Sequence, residues 1–338
     1  MKKITLNSPF DMHLHLRDND MLSLVAPLTS NTFAGAIIMP NLVPPVDTKE
    51  AVIAYKNRIL NEIDNKDNFI PFMTLFFKAY TKEFLEDVKD EISAIKLYPS
   101  GITTNSEGGV KSIDTEALAP TFNAMIDLNI PLCVHGETNG FVMDREKEFM
   151  SVYEALAVAF PKLKIIMEHI TTKEAVDMLD KYPNLYATIT LQHLIITLDD
   201  VAGGMLQPHL FCKPIAKRPV DRDALLRVAL EGHPKVMFGS DSAPHPKHAK
   251  EACGCAAGVF TAPIALQVLV ALFEKHNQLD NLQKFISDNA CTIYEMKASS
   301  KKVTLVKETF VVPPYYEFKR EKVVPMYANE TLSWKVLC

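Results

Sequence analysis

The stretch Ser8–Asp18, SPFDMHLHLRD, sets two histidines one residue apart, with an arginine two places further on. Side chains alternate across a strand, so residues i, i+2 and i+4 share a face. Read as a strand, the segment aims His13, His15 and Arg17 to one side. Two imidazoles on one face offer nitrogen donors to a metal ion, and a planar guanidinium offers a fork for a carboxylate. Other donors recur in short apolar surroundings: Lys96 in AIKLYP, His135 in CVHGE, His169 in MEHIT and Asp241 in GSDSAPH. Taken singly, each histidine reads as an ordinary core or surface residue. Their chemistry depends on the elements that carry them.

Eight short apolar or β-branched runs are strand candidates: FDMHLHL, AGAIIMP, IPFMTLFF, SAIKLYP, IPLCVHG, KIIMEHI, LYATIT and KVMFGSD. Between most of them lie segments such as DTKEAVIAYKNRILNEIDN and TTKEAVDMLDKY. These open on a capping residue and carry apolar residues at three- and four-residue spacing, which predicts helices. Strands alternating with helices predict parallel βα units, and eight such units close into a (β/α)8 TIM barrel. We read residues 1–338 as a single barrel domain. From about residue 300 the segments KVTLV, TFVVPPYY and LSWKVL lack helical period, which predicts a short C-terminal extension packed on the barrel. In such barrels the chemistry sits at the C-terminal ends of the strands. His13, His15, Asn41, Lys96, His135, His169 and Asp241 all fall at those ends. Four histidines and an aspartate converging on one rim predict a metal centre.

Composition narrows the class of partner. With 48% hydrophobic and 23% charged residues, the chain reads as globular with a large core. A net charge of −5 carries no basic footprint, so nucleic acid is not an expected partner. No apolar run approaches the roughly 18 residues that span a bilayer, so no membrane is expected either. MKKITLNSPF has no apolar run after its lysines, so it does not read as a secretory signal. Of six cysteines only Cys253 and Cys255 are clustered, and all are read as reduced thiols of a cytoplasmic protein.

DMHLHLRD, MPNLVPP, IKLYPSGITTN, CVHGE, EHITT and GSDSAPH occur in the order seen in the amidohydrolase superfamily. From Ser8 to Pro263 the chain resembles, within it, the dihydroorotase family of the short bacterial type. The resemblance implies a zinc-dependent hydrolase of a cyclic amide, interconverting N-carbamoyl-L-aspartate and (S)-dihydroorotate in de novo pyrimidine biosynthesis. It implies two Zn2+ per subunit, bridged by N6-carboxylated Lys96 and a hydroxide. His13, His15 and Asp241 would hold one ion, and His135 and His169 the other. Modification of Lys96 makes chemical sense, because an ammonium has no lone pair to give a metal. Asp241 is further implied as the catalytic proton carrier. Arg17, Asn41 and His245 are implied as contacts of the substrate carboxylate. Thr103 and Thr104, in the loop SGITTNSEGG, are implied as donors from a mobile lid, and His135 as a further substrate contact. Backbone contacts are implied at Lys213 and at Ala256 or Ala257, of which counting back from APIAL favours Ala257. The sequence departs from the pattern at both places: CKPI stands where CLPI is common, and CGCAAG carries one alanine more than CGCAG. A backbone contact survives the change of side chain at 213. The family also implies a homodimer. Two alternatives are another cyclic amidohydrolase, of hydantoinase or allantoinase type, and a catalytically silent relative acting as a scaffold. The first would not need Arg17, Asn41 and His245 for a ring carboxylate, and the second would be expected to lack metal ligands.

Overall fold

The eight apolar runs are rich in Ile, Val and Phe on both faces, as strands covered on both sides must be. The computed structural model, which describes residues 2–337, turns every one of them into a barrel strand. They follow a strand that the pattern did not predict, β1 (Lys3–Asn7). The barrel itself comprises β2 (Phe10–Leu14), β3 (Gly35–Ile38), β4 (Ile70–Phe76), β5 (Ala94–Leu97), β6 (Leu132–Val134), β7 (Ile165–Met167), β8 (Leu185–Ile189) and β9 (Val236–Phe238). These eight lie side by side in chain order and pair in parallel, with helices in the connections. The helices begin where their caps predict. Thr48 accepts the Ala51 N–H ahead of Lys49–Glu62, and Thr172 accepts that of Ala175 ahead of Lys173–Lys181, satisfying otherwise orphaned donors.

The barrel interior is layered. Phe10, Met12, Ile37, Met39, Cys133, Ile166 and Met237 form an apolar cluster, joined by Ala290 and Ile293 of the helix Asn289–Tyr294. Beyond it along the strands, buried positions turn polar: Thr74, Lys96, His135, Glu168 and Thr188. The wall is completed between β2 and β9, where the Asp241 N–H donates to the His13 carbonyl (2.9 Å) and the His15 N–H to that of Ser242 (3.3 Å). Pairing of β2 with β3 shifts register between Asp11 and Leu14. This bulge lets consecutive residues Met12 and His13 both reach the interior, which simple alternation forbids. It also corrects the single-strand reading of His13, His15 and Arg17. The strand stops at Leu14, and Arg17 sits in a left-handed turn at φ 59°.

After residue 300 the chain is extended, as its lack of period predicts. β10 (Lys302–Val306) pairs antiparallel with β1. β11 (Phe310–Val311) is followed by a hairpin of β12 (Tyr316–Phe318) and β13 (Glu321–Val323), then by β14 (Thr331–Leu332) and β15 (Lys335–Val336). β14 returns to β11 and β15 to β10. Buried Trp334 fastens the extension by donating from Nε1 to Glu274 (3.0 Å). Among the described residues no helix is long and apolar enough to cross a membrane.

Candidate metal centre

The gap between β2 and β9 is where the donors gather. One donor atom each from His13, His15 and Asp241 lies within 4.8 Å of the others, and all three residues are buried. Asp241 Oδ1 is 3.1 Å from His15 Nε2 and 3.5 Å from His13 Nε2. The His13 and His169 ring centres are 4.9 Å apart, and those of His169 and His135 4.7 Å. His169 and Asp241 adopt left-handed backbone at φ 41° and 43°, a conformation that costs energy outside glycine and gathers at functional sites. Lys96 is fully buried between β4 and β6, paired in register with Phe76 and Cys133. Its Nζ lies 5.1 Å from the Tyr98 ring centre and has no hydrogen-bond partner.

Burial sets the electrostatics. It lowers the pKa of His13, against the pull of Glu168, and takes His15 and His169 well below 6.5, which favours the neutral rings whose lone pairs a metal needs. Burial also lowers the Lys96 pKa and raises that of Asp241, the latter against the pull of His13 and Lys96. His13 Nε2, His169 Nδ1, Lys96 Nζ and Glu168 Oε1 are all buried without partners. A buried polar atom left unpaired costs about 1–3 kcal/mol, and four in one polar layer mark a place built for a cation. The residues fit a metal. They fit one ion better than two: His135 and His169 bring two imidazoles, and Lys96 as an amine offers a single nitrogen. Only an added anion on Lys96 would give both ions a shared ligand.

Carboxylates behind the histidines fix their rings. Glu168 Oε2 lies 2.7 Å from His13 Nδ1 and accepts from Thr188 Oγ1 at 2.6 Å. Burial pushes the Glu168 pKa up, yet His13, Lys96 and these bonds together hold it at about 2. Glu137 Oε2 lies 2.7 Å from His135 Nε2. Glu146, wholly buried, accepts the backbone N–H groups of Thr171 (2.9 Å) and Thr172 (3.1 Å) and clamps the turn after His169. Asp11 accepts from the Ser240 N–H (2.7 Å) and hydroxyl (2.5 Å), and burial pushes its pKa to about 7. Such partners orient metal ligands and set their basicity. Sequence reasoning singled out none of the four. The signal available was an acid beside a candidate ligand in an otherwise apolar run, as in MEHI.

A cavity of about 540 Å³ at the mouth is lined by Arg17, Thr104, Asn105, His245 and Glu321, among others. Arg17 donates from Nε to the Pro244 carbonyl (3.1 Å), and its Nη2 lies 3.1 Å from His245 Nε2. His245 Nε2 also lies 2.9 Å from the Ala257 carbonyl, and in a neutral ring it serves one of the two at a time, donating to that carbonyl or accepting from Arg17. Burial first, then Arg17, hold the His245 pKa down at about 3, so its ring is neutral. Asn41 Nδ2 donates to the Thr104 carbonyl (2.9 Å), and Asn105 Nδ2 to the Asn41 carbonyl (3.0 Å). The loop is thereby tied to the end of β3. Arg17, His245 and Ala257 thus form one connected group, and Asn41 and Thr104 another. Thr103 is occupied within its loop, its N–H donating to Ser106 Oγ at 3.0 Å. Lys213 is half-buried and makes no ion pair among the described residues.

Comparison with known proteins places this arrangement. Residues 36–294 match the family model described as Amidohydrolase. A dihydroorotase of Helicobacter hepaticus is 43% identical over 336 residues, covering 98% of this chain and 97% of the relative. The crystal structure of a dihydroorotase from Campylobacter jejuni superposes with a TM-score of 0.96 at 58% identity, covering 99% of this chain and 98% of that one. A dihydroorotase from Saccharomyces cerevisiae, solved with 5-fluoroorotic acid, gives a TM-score of 0.93 at 36% identity over 100% of this chain and 99% of its own. With its barrel, its buried histidine–aspartate cluster and this likeness along nearly its whole length, the chain belongs to the amidohydrolases and, among them, to the dihydroorotases, a family of hydrolases.

Proposed function

We propose that the chain interconverts dihydroorotate and N-carbamoyl aspartate with two zinc ions, held by His13, His15 and Asp241 on one side and His135 and His169 on the other. Carboxylated Lys96 would bridge them. The observation that carries this reading is the buried His13–His15–Asp241 cluster beside a fully buried, unpartnered Lys96. Neutral Lys96 amine is the form that reacts with carbon dioxide, losing a proton to become an anionic carbamate with two oxygens. When bound, the ions supply a positive charge that polarises the ring amide and lowers the pKa of water. The remaining work falls to side chains. Arg17 and His245 receive the substrate carboxylate at the mouth, with Asn41 adding its amide and bringing the Thr103–Thr104 loop down over the ring. Lys213 and Ala257 contact the ring through their backbone, and His135 stands against it. A carboxyl of Asp241 takes the proton of the attacking water and passes it to the departing ring nitrogen; cyclisation reverses the path. Its place supports this role: Asp241 Oδ1 lies among the donors of the cluster, 3.1 Å from His15 Nε2 and 3.5 Å from His13 Nε2. We further propose that residues 1–338 act as one domain, as a homodimer, in the cytoplasm, in pyrimidine synthesis. Purified chain should contain about two zinc ions, each a water-activating site, and should cyclise carbamoyl aspartate. Zinc-loaded chain inert toward both substrates would refute the reading.

A further inference from the structure

Lys250 ends the short helix Lys247–Lys250 and is 3% exposed. Its Nζ donates to three backbone carbonyls: Phe211 at 2.9 Å, Ala256 at 2.8 Å and Gly258 at 2.8 Å. An ammonium has three donors and no acceptor, so the group is fully used. Among the described residues no carboxylate lies within ion-pairing distance of it. Burial pushes its pKa down to about 8, opposed by the thiols of Cys255 and Cys212. A buried cation without a counter-ion is an expensive way to join two loops that apolar packing could join, so its geometry calls for another account.

That geometry bears on one peptide. The backbone groups of Ala256, Ala257 and Gly258 have different partners. Ala256 and Gly258 spend theirs away from the site: their carbonyls meet Lys250, and their N–H groups donate to the Ala249 carbonyl (3.0 Å) and Phe211 carbonyl (2.9 Å). Ala257 is left facing the other way, with its carbonyl on His245 Nε2. Its N–H has no partner among the described residues. The Phe211 carbonyl held by the same ammonium lies two residues before Lys213. One side chain therefore fixes, from behind, both backbone segments that flank the carboxylate-binding group.

We propose that Lys250 is a positioning residue for substrate: it holds the Ala256–Gly258 segment so that the Ala257 carbonyl keeps His245 against Arg17, and so sets affinity for the ring carboxylate. The proposal rests on the dihydroorotase reading. It is tested on the metal-loaded full chain with Lys250→Met, which keeps the length of the side chain and removes every donor. Binding of 5-fluoroorotate is measured by calorimetry, with steady-state kinetics and zinc content in parallel. The dissociation constant should rise about tenfold or more, as expected when one charge-assisted contact is lost. kcat should stay within about threefold and zinc content unchanged, since Lys250 touches neither ligand nor proton carrier. A dissociation constant within about twofold of the parent, or a kcat falling as far as binding weakens, would overturn the proposal, leaving a staple of the fold. Should Lys250→Met fail to fold, Lys250→Gln retains two donors and should show the same split at smaller size. Failure of both to fold would assign the residue to stability alone and end the proposal. Parent chain that ignores 5-fluoroorotate would instead sink the substrate reading, and this inference with it.

Discussion

Lys96 is the residue whose chemistry can be separated most cleanly from its packing. Its amine is wholly buried and unpartnered, so replacing it removes a prospective anion without breaking a hydrogen bond. Lys96→Ala should fall from about two zinc ions to about one and lose nearly all turnover, because a bridging ligand is gone. Propionate or another short carboxylate, seated in the space left, should restore part of both. Full activity in the unrescued variant would end the carbamate role. Arg17 answers a different question. Its Nε is committed to the Pro244 carbonyl, so Nη1 and Nη2 remain for substrate, the latter shared with His245. Charge-assisted bonds contribute roughly 1.5–3 kcal/mol each, so Arg17→Met should raise KM for dihydroorotate by about ten- to a hundredfold with zinc content intact. Dihydrouracil, which lacks the carboxylate, should be far less affected. If both rings slowed equally, Arg17 would not be the carboxylate reader.

At the scale of elements, the site depends on how closely β9 approaches its neighbours. A Cβ at Gly239 would lie 2.9 Å from both His13 Cβ and Thr188 Cβ, so only glycine lets the strand end reach the ligands. Gly239→Ala should destabilise by about 1–3 kcal/mol through overpacking and lower zinc occupancy by displacing His13. Calorimetry and metal analysis check this; a variant unchanged in both would show the approach to be looser than the distances imply. The same neighbourhood shows what the sequence could and could not disclose. All eight barrel strands were legible, because apolar runs bounded by caps and turn residues carry their own signal. Lys3–Asn7 was not: KITLN becomes a strand by pairing with residues 302–306, as where Thr5 meets Thr304, and nothing local announces that. His13, His15 and Asp241 were legible as donors at strand ends. The bulge that turns His13 inward was invisible, because register is a relation between strands. So were Glu146 and Lys250, whose roles exist only through the backbone groups the fold brings to them, whereas Glu168 left the trace of an acid beside a candidate ligand.

For the molecule as a whole, buried neutral histidines make stability depend on pH. His193 is held at about 4 and His245 at about 3, both chiefly by burial, against an ordinary 6.5. The unfolded chain therefore binds protons that the folded chain refuses. Their contribution is complete above pH 6.5 and is lost as pH falls toward the folded values of about 4 and 3. His13, His15 and His169 shift in the same direction. Chelator-treated chain should thus melt progressively lower as pH drops from about 7 to 5, and zinc-loaded chain should start higher and fall more steeply, because a bound ion keeps the folded imidazoles deprotonated while the unfolded ones gain protons. A melting temperature flat across that range would contradict the assignment of neutral buried rings.

The wall of the barrel closes between its first and last strands, and that has a consequence for synthesis. Asp11 and Ser240, which bond across the gap, are 229 residues apart in the chain. At roughly 5–20 residues per second on the ribosome, nascent His13 and His15 wait about 10–45 s before Asp241 is even translated. Until then no prematurely terminated product owns the three-donor cluster. Metal capture by that cluster would therefore be a late event in the life of the chain, and polypeptides cut short upstream of β9 would lack the cluster altogether.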